Sequence, residues 1–294
     1  MPKIKKILVL MATYNGKEYI EEQIRTIIEQ RDVDVEILIS DDCSTDNTLE
    51  VINNLFDNNR ISVLNNTNRF GSAASNFFNL IQKCNTESFD YIAFSDQDDI
   101  WFNDKLISAI NKLKISSYDG FSSDVIAYWP KINKKKLIMK SFSQKKYDHW
   151  FEAPGPGCTQ VLTIKSFEKF KDFIIKNKEN LTSIDCHDWL VYSFYKHNEL
   201  KWIISDEPKM LYRQHEKNVS GENITLGAKW LRFKLIMNNW YKNQVITNYE
   251  LITKRSFNQF IKSEKLILKP FSLRRRKLHS LFLWFLIFIR VLKN

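Results

Sequence analysis

Residues 91–101 read YIAFSDQDDIW and join an apolar run directly to a cluster of acidic side chains. The run Tyr91–Phe94 has the composition of a buried strand, and Asp96, Asp98 and Asp99 follow it within four positions. Two carboxylates about 4 Å apart repel by roughly 4 kcal/mol at an effective dielectric constant near 20. A strand that ends in this way therefore predicts a positive partner at its carboxyl end.

The segments on either side alternate between strand and helix patterns. Apolar runs predict strands at residues 4–14, 35–40, 61–66, 91–95 and 124–129. Apolar residues at helical spacing predict four helices between them: one within residues 18–30, one capped by Ser44 or Thr45 and extending to Phe56, one after Gly71, and one capped by Asn103. Near-continuous apolar strands separated by helices are typical of an α/β fold with a mostly parallel sheet that helices cover on both faces.

Polar clusters fall at the predicted carboxyl ends of three strands. They are Thr13–Asn15, Asp41-Asp42 and the acidic stretch Asp96–Asp99. Ligands of such sheets bind beyond the carboxyl ends of the strands, and an Asp-x-Asp there is suited to a hard divalent cation. The alternative is a simple acidic turn, because Asp is common in turns.

The alternation fails beyond residue 130. Strands are predicted within residues 134–142 and after the loop APGPGCTQ (153–160), a helix at 187–197, and a strand pair within 202–215. The sequence from Ala228 onward has a helical pattern and is basic. We expect a main domain of residues 1–225, with a nucleotide-binding half at about 1–130 and an acceptor half at about 131–225. Residues 226–294 would form a helical, basic extension.

Composition narrows the functional classes. The 294 residues carry a net charge of +10, and residues 271–294 hold six Lys or Arg and no acid, so an anionic partner is expected. The four cysteines are too far apart in sequence for a zinc motif, and a disulfide framework and a signal peptide are not indicated, which favours a reduced cytoplasm. No Walker loop and no G-x-G-x-x-G follow the first strand, which argues against classical nucleotide hydrolysis and nicotinamide chemistry.

Four stretches carry a more specific resemblance. They are ATYNGKEYIEEQI (12–24), ISDDCSTDNT (39–48), NRFGSAASNF (68–77) and FSDQDDIW (94–101). In this order they resemble the consecutive motifs of family-2 glycosyltransferases with the GT-A fold, a Rossmann-like sheet sandwiched by helices. HDWLVYSF (187–194) and YRQHEKNVSG (212–221) resemble a rhamnosyltransferase-like subset. The resemblance covers roughly residues 5–222.

The resemblance implies an inverting, metal-dependent transfer from a nucleoside-diphosphate sugar, with Mg²⁺ or Mn²⁺ as cofactor. The first expectation for the donor is dTDP-rhamnose, followed by the UDP-sugars of galactose or glucose. The acceptor would be a hydroxyl of a growing, lipid-linked bacterial surface glycan such as O-antigen or capsule. The enzyme would be cytoplasmic and peripherally associated with the inner face of the membrane.

The resemblance also assigns roles to individual residues. The nucleotide pocket would comprise Thr13, Tyr14, Asn15, Asp42 at the base, Asn68, Gly71 and Asn76, with Asp41 as structural support. Asp96 and Asp98 would bind the metal, with His215 as a metal or phosphate contact. Gln97 and Asp99 would orient the donor sugar, Trp101 would pack, and Arg213 would pair with the diphosphate or with a neighbouring acid.

The same matching places the general base at Asp188, at the start of a predicted helix. Asp185, three residues earlier, is the rival for this role. His187 would orient Asp188, touch the acceptor, or simply pack in the core.

The C-terminal run 281–292 is too short to span a bilayer, since twelve helical residues reach about 18 Å against a hydrocarbon core of about 30 Å. Together with the basic cluster Arg274–Lys277 it predicts an anchor to an anionic membrane surface. The alternative is a helix packed on the domain or in a homodimer.

Two other functions remain open from the residues alone. A sugar-nucleotide nucleotidyltransferase shares a related sheet and an acidic metal site, but needs a glycine-rich basic loop near the N-terminus. A basic nucleic-acid-binding module would leave the acids at the strand ends unexplained, and no nucleic acid is expected as a partner.

Overall fold

A computed structural model describes residues 4–55, 59–215 and 239–291 of the chain. The strands are β1 (Lys5–Thr13), β2 (Val33–Asp41), β3 (Ile61–Leu64), β4 (Tyr91–Ser95), β5 (Ile100–Trp101), β6 (Gly120–Ser123), β7 (Val125–Trp129), β8 (Lys134–Ile138), β9 (Val161–Thr163), β10 (Trp202–Ser205) and β11 (Met210–Arg213). The helices are α1 (Ile20–Ile28), α2 (Thr48–Leu55), α3 (Ala73–Lys83), α4 (Lys105–Ile115), α5 (Asp148–Phe151), α6 (Ile164–Lys176), α7 (His187–His197), α8 (Trp240–Thr253), α9 (Phe257–Ser263) and α10 (Lys277–Val291).

Seven strands form the main sheet, in the order β10-β6-β9-β4-β1-β2-β3. The pairs β1–β2, β1–β4, β2–β3 and β6–β10 are parallel, and only β9 runs antiparallel to its two neighbours. The predicted α/β fold with a mostly parallel sheet is therefore confirmed. Because β1, β2 and β4 are mutually parallel, their carboxyl ends meet at one edge of the sheet.

The side chains of β1 alternate between the two faces of this sheet, as the pleat of a strand requires. Leu8 and Leu10 belong to the core beneath α3, α6 and α7, whereas Ile7, Val9 and Met11 belong to the core beneath α1 and α4. Both faces of the strand are apolar because helices cover both, which explains the near-continuous apolar run.

A second sheet of four strands, β5-β11-β7-β8, lies beside the first. The predicted strand at residues 124–129 belongs to this sheet as β7, not to the main one. The strand pair predicted at 202–215 is also wrong as a pair, because β10 hydrogen-bonds to β6 in the main sheet and β11 to β7 and β5 in the small one.

Two predicted helix caps are wrong. α2 begins at Thr48, whose N–H donates to Asp46 at 3.2 Å. Ser44 and Thr45 do not cap it, because both hydrogen-bond to Asn15 in the loop after β1. α4 begins at Lys105 after Asp104 rather than after Asn103, and Asp104 makes no side-chain capping bond. Phe56, predicted in α2, lies outside the described residues.

The C-terminal helices pack onto the main domain through a third apolar core. Trp150 of α5 and Trp189 of α7 meet Tyr249 of α8, Phe260 of α9 and Leu283 of α10 there. The expected boundary near residue 225 and the end of the motif 212–221 lie outside the described residues. None of the helices among the described residues combines the length and the apolar content needed to cross a membrane.

Candidate functional site

The loop that follows β1 is held by the side chain of Gln97, which lies in the turn after β4. Gln97 Oε1 accepts hydrogen bonds from Thr13 Oγ1 at 2.6 Å and from the Tyr14 N–H at 2.8 Å, and its Nε2 donates to the Tyr14 carbonyl at 3.0 Å. Gly16 lies so close that an added Cβ would stand 2.4 Å from Gln97 Oε1. Gln97, expected to orient the donor sugar, thus bonds to the loop after β1, and its expected role stays a prediction.

The same loop is tied to the end of β2. The Asn15 N–H donates to Ser44 Oγ at 2.8 Å, and Asn15 Oδ1 accepts the Thr45 N–H at 2.8 Å. Asn15 has a φ of +49°, a left-handed conformation that Asn tolerates better than most residues. Asp41 accepts from the Ser44 N–H at 2.7 Å and is buried, in agreement with its expected structural role.

The residues expected around the nucleotide base divide into two groups. Asp42 is buried and its carboxylate accepts the N–H groups of Phe70 and Gly71, so it fixes the loop before α3. Asn76 is also buried, and its Nδ2 donates to the Ser40 carbonyl at 2.8 Å. These side chains shape the pocket wall by holding backbone in place.

Tyr14, Asn68 and Gly71 face solvent more openly in the same region. Tyr14 is 36% exposed, and the Arg69 guanidinium lies 4.2 Å from the centroid of its ring. Arg69 Nε is 3.9 Å from Asp42 Oδ2. Gly71 has a φ of +78°, which is the reason for glycine there. Together they form an open rim beside the ends of β1 and β2.

The acidic turn places its three carboxylates in different environments. Asp98 Oδ2 lies 2.8 Å from His215 Nε2, and both side chains are about one-tenth exposed. Asp99 is fully buried and accepts the Arg213 N–H at 3.2 Å. Burial, followed by the charge of Asp98, raises the pKa of Asp96. The turn therefore concentrates negative charge that a cation would relieve.

Two sets of side chains near the turn offer cation ligands. Asp96, Asp99 and Cys158 have ligand atoms within 4.8 Å of one another, and burial raises the pKa of the Cys158 thiol well above its usual value. Sulfur is a soft ligand and is poorly suited to a hard cation such as Mg²⁺ or Mn²⁺. The Asp98 carboxylate offers such an ion an oxygen ligand, and the His215 imidazole lies beside it at 2.8 Å.

Arg213 is buried and holds the acidic turn against α1. Its Nε donates to the Asp98 carbonyl at 2.7 Å, its Nη2 donates to Glu22, and its guanidinium lies 4.6 Å from the centroid of the Tyr19 ring. Of the two roles expected for Arg213, these contacts favour the pairing with an acid.

A buried lysine lies under the acidic turn. Lys105 is 3% exposed, and its Nζ stands 3.4 Å from the centroid of the Trp101 ring. Burial lowers the pKa of Lys105 to about 7, against the opposing effects of Cys158 and Asp99. Trp101 thus packs, as expected, and burial disfavours the charged form of the lysine beneath the turn.

Asp188 lies at the first turn of α7, close enough to Asp96 for its charge to raise the pKa of that residue. Its Oδ1 accepts the Trp189 N–H at 2.8 Å, which fixes the carboxylate. Burial raises the pKa of Asp188 to about 6, because it outweighs the backbone hydrogen bonds and the Lys140 charge that favour ionisation. A carboxylate with such a pKa is suited to accept a proton near neutral pH.

The alternatives to Asp188 have other partners. Asp185 accepts the indole N–H of Trp240 at 2.6 Å and an amide N–H of Gln244 at 3.1 Å, which ties it to α8. The His187 ring stacks on Phe77 at 3.9 Å, and burial lowers its pKa to about 3. His187 is therefore neutral and packed in the core.

Several residues of the site were missed by the sequence interpretation. They are Glu22, Asn66, Arg69, Lys105 and Cys158. Asn66 donates to the Ser40 hydroxyl and the Asp41 carbonyl, each at 2.9 Å. For four of them the decisive contact is with a segment distant in the chain, whereas Lys105 lies over Trp101, only four residues before it.

Comparison with known proteins identifies the family. The model of glycosyl transferase family 2 matches residues 8–200, about two thirds of the chain. The chain belongs to glycosyl transferase family 2. This family-2 chain is 43% identical over 289 residues to the dTDP-rhamnosyl transferase RfbG of Shigella flexneri. The aligned region covers 96% of this chain and all of that protein. It is 28% identical over 231 residues, 76% of this chain and 83% of the relative, to WfgD of Escherichia coli, a UDP-Glc:α-D-GlcNAc-diphosphoundecaprenol β-1,3-glucosyltransferase.

Solved structures agree with the fold of this family-2 enzyme. The TarS 1–349 fragment of S. aureus in complex with UDP-GlcNAc superposes with a TM-score of 0.53 at 15% identity, covering 90% of this chain and 76% of that one. The mannosyltransferase PcManGT of Pyrobaculum calidifontis, in complex with GDP-Man and Mn²⁺, gives a TM-score of 0.50 at 14% identity, with 91% and 81% coverage. The expected GT-A type of fold and the assignment as a glycosyltransferase are confirmed.

Proposed function

We propose that this enzyme transfers rhamnose from dTDP-rhamnose, with inversion and with the help of a divalent cation, to a hydroxyl of a lipid-linked glycan. The observation that carries the proposal is the proximity of Asp98, in the turn after β4, to His215, and of Asp188, at the start of α7, to Asp96 in the same turn. The near full-length similarity to a dTDP-rhamnosyl transferase supports the donor.

Asp98 and His215 are the proposed metal ligands, with Asp96 beside them. Mg²⁺ or Mn²⁺ at this position would stabilise the charge of the leaving nucleoside diphosphate. Arg213 supports the site by donating a hydrogen bond to the Asp98 carbonyl, and the buried Lys105 lies close enough to Asp99 to interact with its charge.

The nucleotide is assigned to the rim formed by Thr13, Tyr14, Asn15, Asn68 and Gly71. Asp42 and Asn76 would form the bottom of the nucleotide pocket, because they fix the backbone of Gly71 and Ser40 beneath the rim. Gln97 fixes the position of the loop after β1 by accepting the Tyr14 N–H. In this arrangement the polar edge of the base meets Asp42 at the bottom of the pocket, and the diphosphate extends toward Asp98.

Asp188 is the proposed general base. Its ionised form accepts the proton of the acceptor hydroxyl as the oxygen attacks the anomeric carbon, while the bond to the diphosphate breaks on the opposite face. One such displacement inverts the anomeric centre. The hydrogen bond from the Trp189 N–H orients the carboxylate for this step.

The acceptor is proposed from chemistry rather than from contacts. One relative is named for an acceptor with a diphosphoundecaprenol carrier, and the exposed apolar residues of α10 would suit an enzyme that works at a membrane. We therefore assign the enzyme to the cytoplasmic side of a membrane as a peripheral protein, with a homodimer as the alternative use of that surface.

A thermal-shift panel of nucleotide sugars, each with and without Mn²⁺, tests this proposal. Wild type should be stabilised by dTDP-rhamnose with Mn²⁺ and Asp98→Asn should not, whereas Asp185→Asn, a carboxylate bound to α8, should behave as wild type. A shift with a UDP-sugar instead would disprove the donor. If no nucleotide sugar shifts the melting temperature with Mn²⁺, the assignment of the site is wrong.

A further inference from the structure

One face of α10 is fixed to the rest of the protein. Ser280 is fully buried and its Oγ accepts the N–H groups of Leu273 at 3.2 Å and Arg274 at 3.1 Å. Leu283 is 7% exposed within the third apolar core, and the Trp284 indole N–H donates to the Ile267 carbonyl at 2.7 Å. These contacts determine which side of the helix faces outward.

The outward face carries large apolar side chains. Leu278 is 80% exposed, Leu281 40%, Phe282 59% and Phe285 52%. Their spacing of three, one and three residues places them in one stripe along the helix. We name these four residues the outer stripe. A helix on the surface of a soluble protein normally turns polar residues to water, so the stripe marks a contact surface.

The basic cluster in front of this helix is largely used within the protein. Arg275 is 5% exposed and its guanidinium pairs with Asp148 at 3.4 Å and Glu152 at 3.7 Å, and Arg274 pairs with Glu152 at 3.4 Å. Only Arg276 and Lys277 of the cluster are exposed. The sequence-based interpretation of Arg274–Lys277 as a membrane-binding patch is thus wrong for two of its four cations.

We propose that α10 lies in the plane of a lipid membrane with the outer stripe inserted, and that apolar contact rather than charge supplies most of the binding. Two observations favour a membrane over a protein partner. Two exposed cations, Arg276 and Lys277, directly precede Leu278 at the start of α10, and cations in that position match the headgroups of an anionic leaflet, although Arg276 also donates to the Met139 carbonyl at 3.1 Å. No Asp or Glu follows Glu264 in the sequence, so no acid opposes such a contact from this helix.

Helix α10 is joined through the third core to Trp189, the neighbour of Asp188 in α7. Docking would therefore hold the proposed catalytic base at a fixed position above the membrane. This consequence rests on the proposed lipid-linked acceptor, whereas the docking itself does not.

Vesicle flotation of the full-length protein tests the proposal. Phosphatidylcholine vesicles and vesicles with added phosphatidylglycerol would each be used at low and high salt. The double variant Phe282→Gln and Phe285→Gln should lose binding to both, roughly tenfold or more for each side chain. The matched variant Arg276→Gln and Lys277→Gln should lose only the additional, salt-sensitive binding to the anionic vesicles.

Three results would overturn the proposal. The first is unchanged flotation of the phenylalanine variant, and the second is binding that high salt abolishes in the wild type. The third is a wild-type dimer in sedimentation that the phenylalanine variant dissociates, without vesicle binding, since the stripe would then be a subunit interface. The thermal shift by dTDP-rhamnose and Mn²⁺ in solution is independent of this surface, so it separates a failure here from a failure of the proposed function.

Discussion

The contact between Gly16 and Gln97 allows a quantitative test of how the nucleotide loop is built. A Cβ at residue 16 would lie 2.4 Å from Gln97 Oε1 and 2.7 Å from its Cδ, so Gly16→Ala forces the amide out of place. Displacement breaks the three hydrogen bonds that Gln97 makes with Thr13 and Tyr14. At about 1 kcal/mol net for each bond, reduced by the partial exposure of Tyr14, the expected loss of stability is about 2 kcal/mol.

Gln97→Ala should cost a similar amount, because it removes the same three bonds. The double variant Gly16→Ala, Gln97→Ala should be nearly as stable as Gln97→Ala alone, because the clash with the amide has gone and only the 3.1 Å approach to Thr13 Oγ1 is left. The double variant should therefore be about 2 kcal/mol more stable than the sum of the two single losses predicts. Independent sites normally add to within about 0.5 kcal/mol, so this difference is measurable. Urea unfolding measures all four proteins, and dTDP binding should follow the same order.

Gly155→Ala provides the control. Its added Cβ would meet Ser123, Thr159 and Lys140 and no atom of Gln97, so its effect should simply add to that of Gln97→Ala. If the losses of Gly16→Ala and Gln97→Ala are also additive, Gln97 does not hold the loop in the way described.

Asp188→Asn should lower kcat by at least about 100-fold while donor and metal binding persist, which isothermal calorimetry and a nucleotide-release assay would separate; an unchanged kcat would exclude Asp188 as the base. In the wild type, kcat/KM should rise with pH through about 6, because only the ionised Asp188 carboxylate accepts a proton. A rise centred near pH 4 instead would contradict the claim that burial raises the pKa of Asp188. Arg213→Met should lower the free energy of unfolding by about 2–3 kcal/mol through the lost bonds to Glu22 and the Asp98 carbonyl, and an equal loss on Glu22→Gln would show that the ion pair alone matters. Gly157→Ala should reduce activity more than nucleotide affinity, because its Cβ would stand 2.7 Å from His187 Nε2 and 3.3 Å from Asp188 Cβ; a loss of nucleotide affinity with activity retained would contradict this placement.

Most strands and helices of the first 115 residues follow from local patterns, with β5 and the starts of α2 and α4 as the exceptions. β1, α1, β2, α3, β4 and α4 were each predicted from apolar runs or helical spacing, since both faces of the parallel sheet bury their side chains. The small sheet was not predictable, because β7, β8 and β11 are short and their grouping depends on pairings between segments far apart in the sequence.

The site shows the same division between local and distant information. The position of Asp96–Asp99 at a strand end was readable from the apolar run before it. The use of each side chain was not: Gln97 binds the backbone of Tyr14, 83 residues away, and Arg213 binds Glu22, 191 residues away. Arg275 shows why a run of basic residues does not by itself predict a charged surface. It was expected to face a membrane, but its guanidinium is buried beside Asp148.

The most direct test of the account is the affinity of Mn²⁺ in the presence of dTDP, measured by electron paramagnetic resonance of the free ion. Asp98→Asn should weaken this affinity by about tenfold or more, whereas Asp188→Asn, which removes a nearby carboxylate that is assigned to the acceptor, should leave it nearly unchanged. Equal losses in the two variants, or none in Asp98→Asn, would contradict the assignment of the Asp98–His215 pair as the place where the cation and the diphosphate meet.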